Sequence, residues 1–163
     1  MTWEAAKQLP WEVLLLFGGG LSLAASIEKH GLARFLGDQV GALQGLPVLL
    51  VLCLGCFCIL MLTELTSNTA TAATFLPIAA AVALTYGQHP LIFLVPVALA
   101  ANCSYMMPVG TPPNAIVFGS GCVTLPQMAR AGFLMNLFLT PLIVILAYFL
   151  VPLVFDVAVP AKP

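Results

Sequence analysis

Residues 63 to 74 read Thr-Glu-Leu-Thr-Ser-Asn-Thr-Ala-Thr-Ala-Ala-Thr, so seven of twelve positions carry a hydroxyl or carboxamide and one, Glu64, a carboxylate. Neutral oxygens of this kind suit a small hard cation such as sodium and are poor ligands for zinc or copper, which prefer imidazole or thiolate. A second polar cluster follows at Asn102-Cys-Ser-Tyr-Met-Met-Pro-Val-Gly-Thr-Pro-Pro-Asn114. Pro108, Gly110, Pro112 and Pro113 fall within six positions there. No continuous helix holds them, because each proline deletes a backbone donor and clashes with the preceding turn. An unwound backbone offers carbonyl oxygens, which suit a cation, at the end of one half-helix, and amides, which suit an anion, at the start of the next. Between Asp38 and Arg130 there is no Lys or Arg. An anion held here is therefore neutralised by a co-bound cation, by helix N-terminal dipoles or by groups from elsewhere. That requirement predicts coupling between anion and cation. Paired aspartates, a Ser-His arrangement and a metal-binding His cluster are all missing from the sequence, which argues against an enzyme.

These groups must be positioned by elements that live in lipid. Of 163 residues, 61% are apolar and 7% charged, against roughly 25% charged in a soluble domain. Five Lys and Arg face six Asp and Glu, a balance that gives no basic surface for nucleic acid. The expectation is an all-α integral membrane protein with one re-entrant helical hairpin and one discontinuous helix. Residues 11–27 read as a first transmembrane helix, with Gly18, Gly19 and Gly20 as a packing face, and 28–45 as an interfacial amphipathic segment. Residues 46–86 read as the hairpin with its tip at 63–74. The apolar run after the tip, 75–86, covers only about 18 Å as a helix and cannot cross a core about 30 Å thick alone. Residues 90–128 form the broken helix, unwound over 102–114, and 131–155 the last transmembrane helix, kinked at Pro141. Irregular backbone at membrane depth survives only where protein or a watery cavity satisfies it, so the two interruptions are expected to share one cavity. The five cysteines, three of them inside an apolar run, read as fillers, and the N-terminus lacks the pattern of a cleaved signal peptide.

Ser67-Asn68-Thr69 after Thr63-Glu64, followed by Ser104-Tyr-Met-Met-Pro-Val-Gly-Thr-Pro-Pro-Asn-Ala-Ile-Val117, resembles the divalent anion:sodium symporter family of sodium-coupled dicarboxylate, citrate and sulfate carriers. Leu14-Leu-Leu-Phe-Gly-Gly-Gly-Leu21 and Phe118-Gly-Ser-Gly121 extend the resemblance over nearly the whole chain. It implies two inverted repeats, each with a Ser-Asn-Thr hairpin and a broken helix, working by an elevator-like movement against a dimeric scaffold. This chain looks like the second repeat alone: a fragment, a truncated reading frame or one part of a split transporter, lacking the first repeat and the other sodium site. By matching positions, Ser67, Asn68 and Thr69 touch a substrate carboxylate, and Thr111 and Pro112 line the substrate side of the broken helix. Thr63, Thr66, Asn68 and Gly110 surround a co-transported sodium ion, Thr66 and Gly110 through main-chain carbonyls.

The remaining singular residues read as structural. Glu64 is expected to accept backbone amides at the hairpin tip, with sodium binding or proton coupling as alternatives. Pro108 and Pro113 shape the break, and Asn114 reads as the N-cap of the second half-helix in preference to a brace between the unwound elements. Asn102 and Asn136 read as interhelical hydrogen-bonding residues, and His89 as a turn residue. The resemblance places the chain in the cell membrane as a multi-pass protein, with the C-terminus outside, Arg130 cytoplasmic and a homodimer when complete. The leading expectation is symport of a di- or tricarboxylate with sodium. The competing ones are a sulfate or other oxyanion carrier and a membrane subunit or remnant that only packs against a partner.

Overall fold

Turn and cap residues divide the apolar chain into helices. The computed structural model describes residues 45–157 and isolated positions between 3 and 35. The expected first transmembrane helix at 11–27 and the interfacial segment at 28–45 lie mostly outside the described residues. Five helices follow: α1 Val48–Thr63, α2 Asn68–Thr85, α3 Pro90–Ala101, α4 Pro112–Gly119 and α5 Leu125–Phe155. Among the described residues the fold is all-helical.

Local chemistry sets most of the boundaries. Gly87 adopts a left-handed conformation, φ 63°, and ends α2 in a Schellman motif. The Gln88 amide donates to the Ala83 carbonyl at 2.9 Å and the Gly87 amide to Leu84 at 3.0 Å. His89 then caps α3, its Nδ1 accepting from the Leu91 amide at 3.3 Å, with Pro90 as first helical residue. Thr124 and Gln127 make a capping box that starts α5 at Leu125, six residues before the boundary expected from charge. The helix runs through Pro141 and Pro152 to Phe155.

The core is centred on α3. Its buried residues Ile92, Phe93, Val97, Ala100 and Ala101 join Leu52, Cys56 and Leu60 of α1, Ala79 and Ala83 of α2, and Val144, Ala147 and Val151 of α5. The helix α2 packs mainly on α3, α1 packs on both α3 and α5, and between α1, α2 and α3 lies an apolar groove of about 300 Å³. The distribution of polarity is inverted relative to a water-soluble fold. Thr63, Glu64, Thr71, Ser104, Asn136 and Thr140 are buried, while Leu134, Leu137, Phe138, Leu142, Phe149 and Leu153 of α5 are exposed. An apolar exterior of this extent calls for lipid or a partner. By length and composition α2 and α5 are apolar enough to cross a membrane. Through α5 a helix of 31 residues reaches about 46 Å, and α3 with 12 about 18 Å.

Candidate functional site

The polar stretch 63–74 resolves into the last residue of α1, a turn at 64–67 and the start of α2. Ser67 holds the N-cap position in extended conformation, so the amides that follow lack the intrahelical acceptors a helix interior would provide. Its hydroxyl meets the Thr69 hydroxyl at 3.0 Å. The Thr66 hydroxyl donates to the Leu62 carbonyl at 2.9 Å and lies 2.7 Å from that of Thr71. The second cluster is non-helical from the end of α3 to Thr111.

The structure brings the two interruptions together. Glu64, Leu65, Thr66, Ser67, Asn68 and Thr69 from the hairpin turn, with Val109 and Gly110 from the break, line an open depression of about 500 Å³. Of the expected sodium ligands, Thr66, Asn68 and Gly110 face it. Thr63 lies beneath it, fully buried. Ser67, Asn68 and Thr69 also line it, whereas Thr111, Pro112, Pro108, Pro113 and Asn114 are outside its lining.

Thr63 links the turn to α3. Its Oγ1 is 2.6 Å from Asn68 Oδ1 and 2.8 Å from the Ala101 carbonyl oxygen. A hydroxyl has one proton, so it can donate to only one of these acceptors. Turning the Asn68 amide over satisfies both contacts, because Nδ2 then donates to Thr63 while Thr63 donates to Ala101; the two amide orientations are indistinguishable by shape. In that orientation Oδ1 points away from Thr63, where it is free to accept a cation.

Glu64 is the most heavily hydrogen-bonded side chain at the site, at 4% exposure. Oε1 accepts from the Tyr105 amide at 2.8 Å and Asn136 Nδ2 at 2.9 Å. Oε2 accepts from the Ser104 hydroxyl at 2.8 Å and the Met107 amide at 3.2 Å. The Met106 amide is shared between both oxygens at 3.0 Å. Every partner is a donor, the complement of an acceptor-only carboxylate. The amides it accepts belong to the broken helix, some forty residues on, and not to the hairpin tip as expected.

Asn114 is likewise corrected. Thr111 is the N-cap of α4, its Oγ1 accepting from the Asn114 amide at 3.4 Å. The Asn114 side chain reaches back, Nδ2 donating to the carbonyls of Ser104 at 2.8 Å and Met107 at 3.0 Å. Asn102 bonds within its own helix, to the Ala98 carbonyl at 2.8 Å, whereas Asn136 makes the expected interhelical bond. One contributor, Gly132, went unnoticed in the sequence, and Gly110 has a packing role there beside the one expected of it. A Cβ at Gly132 of α5 would stand 2.6 Å from the Tyr105 carbonyl group and 2.7 Å from Met106 Cα, and one at Gly110 would overlap the Ser104 hydroxyl. Gly132 lies one helical turn before Asn136, so both face the unwound segment. A small residue one turn from a lone carboxamide in an apolar helix was the available signal.

Known proteins match this chain closely. The family model described as the sodium:sulfate symporter transmembrane region matches residues 1–155. A sodium-dependent dicarboxylate transporter, SdcS, of Staphylococcus saprophyticus is 53% identical over 158 residues, which is 96% of this chain and 30% of that protein. SdcS of Staphylococcus aureus strain MRSA252 is 51% identical over 155 residues, 95% of this chain and 30% of that protein. The chain thus spans about 30% of the length of these curated relatives.

Proposed function

Because the chain belongs to the sodium:sulfate symporter family, a family of membrane transporters and not of enzymes, we propose that it supplies one half of a site for sodium-coupled symport of a divalent organic anion such as succinate or citrate. The other half comes from a first repeat, in the same or another chain. In this reading sodium is cargo, taken by Thr63, Thr66, Asn68 and Gly110, with Thr66 and Gly110 offering carbonyl oxygens. Ser67, Asn68 and Thr69, at the positive end of α2, receive a substrate carboxylate, and Thr111 and Pro112 border the substrate from the broken helix.

The observation that supports this best is the shared depression between the hairpin turn and the break, where Thr66, Ser67, Asn68 and Thr69 stand beside Gly110, with Glu64, Leu65 and Val109 completing a lining that has no lysine or arginine. A divalent anion entering such a site needs a cation beside it, which makes binding of the two interdependent. The relatives' description as sodium-dependent dicarboxylate transporters favours carboxylates over sulfate. The same reading makes α1 and α2 a re-entrant hairpin of a multi-pass cell-membrane protein, with the C-terminus non-cytoplasmic, a homodimeric assembly and an elevator-like movement of the site.

Uptake of labelled succinate, citrate and sulfate into proteoliposomes tests it, with the chain alone and with the first repeat of a relative co-reconstituted. The expected result is succinate or citrate uptake that requires an inward sodium gradient when both halves are present. Uptake indifferent to sodium would overturn the proposal, and sodium-driven uptake confined to sulfate would replace the substrate.

A further inference from the structure

We propose that Glu64, Asn136 and Gly132 are positioning residues that hold the unwound segment so that the Gly110 carbonyl reaches the cation; this rests on the sodium site proposed above. Three successive amides, those of Tyr105, Met106 and Met107, converge on the Glu64 carboxylate. A fourth donor, the Ser104 hydroxyl, joins them. The same segment also lies against α5, where Gly132 admits its backbone and Asn136 Nδ2 reaches Glu64. The segment is thus held by both the end of α1 and the N-terminal half of α5.

Its downstream end is tied to the depression. The Gly110 amide donates to the Met107 carbonyl at 3.1 Å, and the space of a Gly110 side chain is taken by Ser104. Met107 and Ser104 are both held by Glu64, so Gly110 inherits its place from that carboxylate. Glu64 precedes Thr66 and Asn68 by two and four residues. One side chain therefore registers the hairpin turn and the break against each other, and the spacing of cation ligands across the depression depends on it.

A consequence separates this from a role as direct ligand. The amides at 105–107 are occupied by an internal carboxylate and are withdrawn from any anionic substrate, and the carboxylate oxygens are filled by donors and withdrawn from the cation. Glu64 acts on sodium only through the backbone it holds.

The test combines radioactive sodium binding with amide exchange over residues 104–107, using the whole chain reconstituted in nanodiscs. In the unaltered chain the amides at 105–107 are slow to exchange. Glu64→Gln, which confronts those amides with a donor, is expected to accelerate their exchange and weaken sodium binding by about tenfold or more, with Glu64→Asp partly restoring both. Asn136→Ala, which removes one donor and leaves the carboxylate, is expected to weaken sodium binding about threefold and covers the case in which Glu64→Gln does not fold. A folded Glu64→Gln chain, or failing that Asn136→Ala, binding sodium as the unaltered chain does would overturn the positioning role alone. Weaker binding without faster exchange would make Glu64 a ligand and overturn it equally. Failure of the unaltered chain to bind sodium would overturn the proposed function, and this inference with it.

Discussion

Gly132→Ala probes how firmly the unwound segment is seated on α5. The added Cβ would lie 2.6 Å from the Tyr105 carbonyl carbon and oxygen and 2.7 Å from Met106 Cα, all main-chain atoms with no rotamer by which to yield. Reaching ordinary van der Waals separation requires the segment to move by about 0.8 Å. The Tyr105 and Met106 amides sit 2.8 Å and 3.0 Å from Glu64. A displacement of that size, with Glu64 held by its other partners, spoils the geometry of at least one of these bonds. Overpacking costs about 1–3 kcal/mol and a lost bond to a charged group about 1.5–3 kcal/mol, while alanine returns about 1 kcal/mol of helix propensity. The net expectation is a destabilisation of about 1.5–5 kcal/mol. Denaturant unfolding of the chain in detergent, followed by circular dichroism, measures it. Gly55→Ala in α1, where a Cβ meets open space, serves as control and is expected to be neutral or slightly stabilising. A Gly132→Ala chain within about 0.5 kcal/mol of the unaltered one would refute the seating of the segment against α5.

Three further outcomes follow from the same geometry. Asn68→Ala is expected to abolish the sodium dependence of uptake in the complemented proteoliposome assay; coupling that survives the change would remove Asn68 from the ligand set. Gly110→Ala alone is expected to cost about 1–3 kcal/mol of stability by colliding with Ser104, and Ser104→Ala in the same chain to return part of it, a coupling that a double-mutant cycle in detergent unfolding would reveal and strict additivity would deny. Thr63→Val keeps the side-chain shape but strips the Ala101 carbonyl and the Asn68 amide of their shared partner; a loss of about 1–3 kcal/mol is expected, and equal thermal stability would show that the Thr63 hydroxyl is dispensable.

The broken backbone was the most legible part of the sequence. Pro108, Gly110, Pro112 and Pro113 admit no helix, and the polar run at 63–74 is too hydrophilic for the middle of an apolar hairpin. Their meeting at one depression followed from the need to satisfy backbone groups in lipid. Boundaries were less legible where a competing signal went unread. Thr124 and Gln127 spell a capping box, yet the absence of charge after Arg130 drew the expected start of α5 to 131. Thr111 and Asn114 are both good caps, and Pro112 decides between them, since a proline with φ preset and no amide belongs at the first helical position. The partners of Glu64 were beyond local reasoning altogether. A carboxylate in an apolar chain announces that it must be paired, but the pairing with amides forty residues away is a property of how α1, α3 and α5 pack.

The corner between α2 and α3 has a bearing on motion. It is closed by a left-handed glycine, a histidine cap and a proline, and the helices on either side share their buried faces. A joint so constrained makes a poor pivot, so α2 and α3 are expected to move as one body. In the transport cycle proposed above, exposing the depression to one side of the bilayer or the other would then require displacing that body against its surroundings.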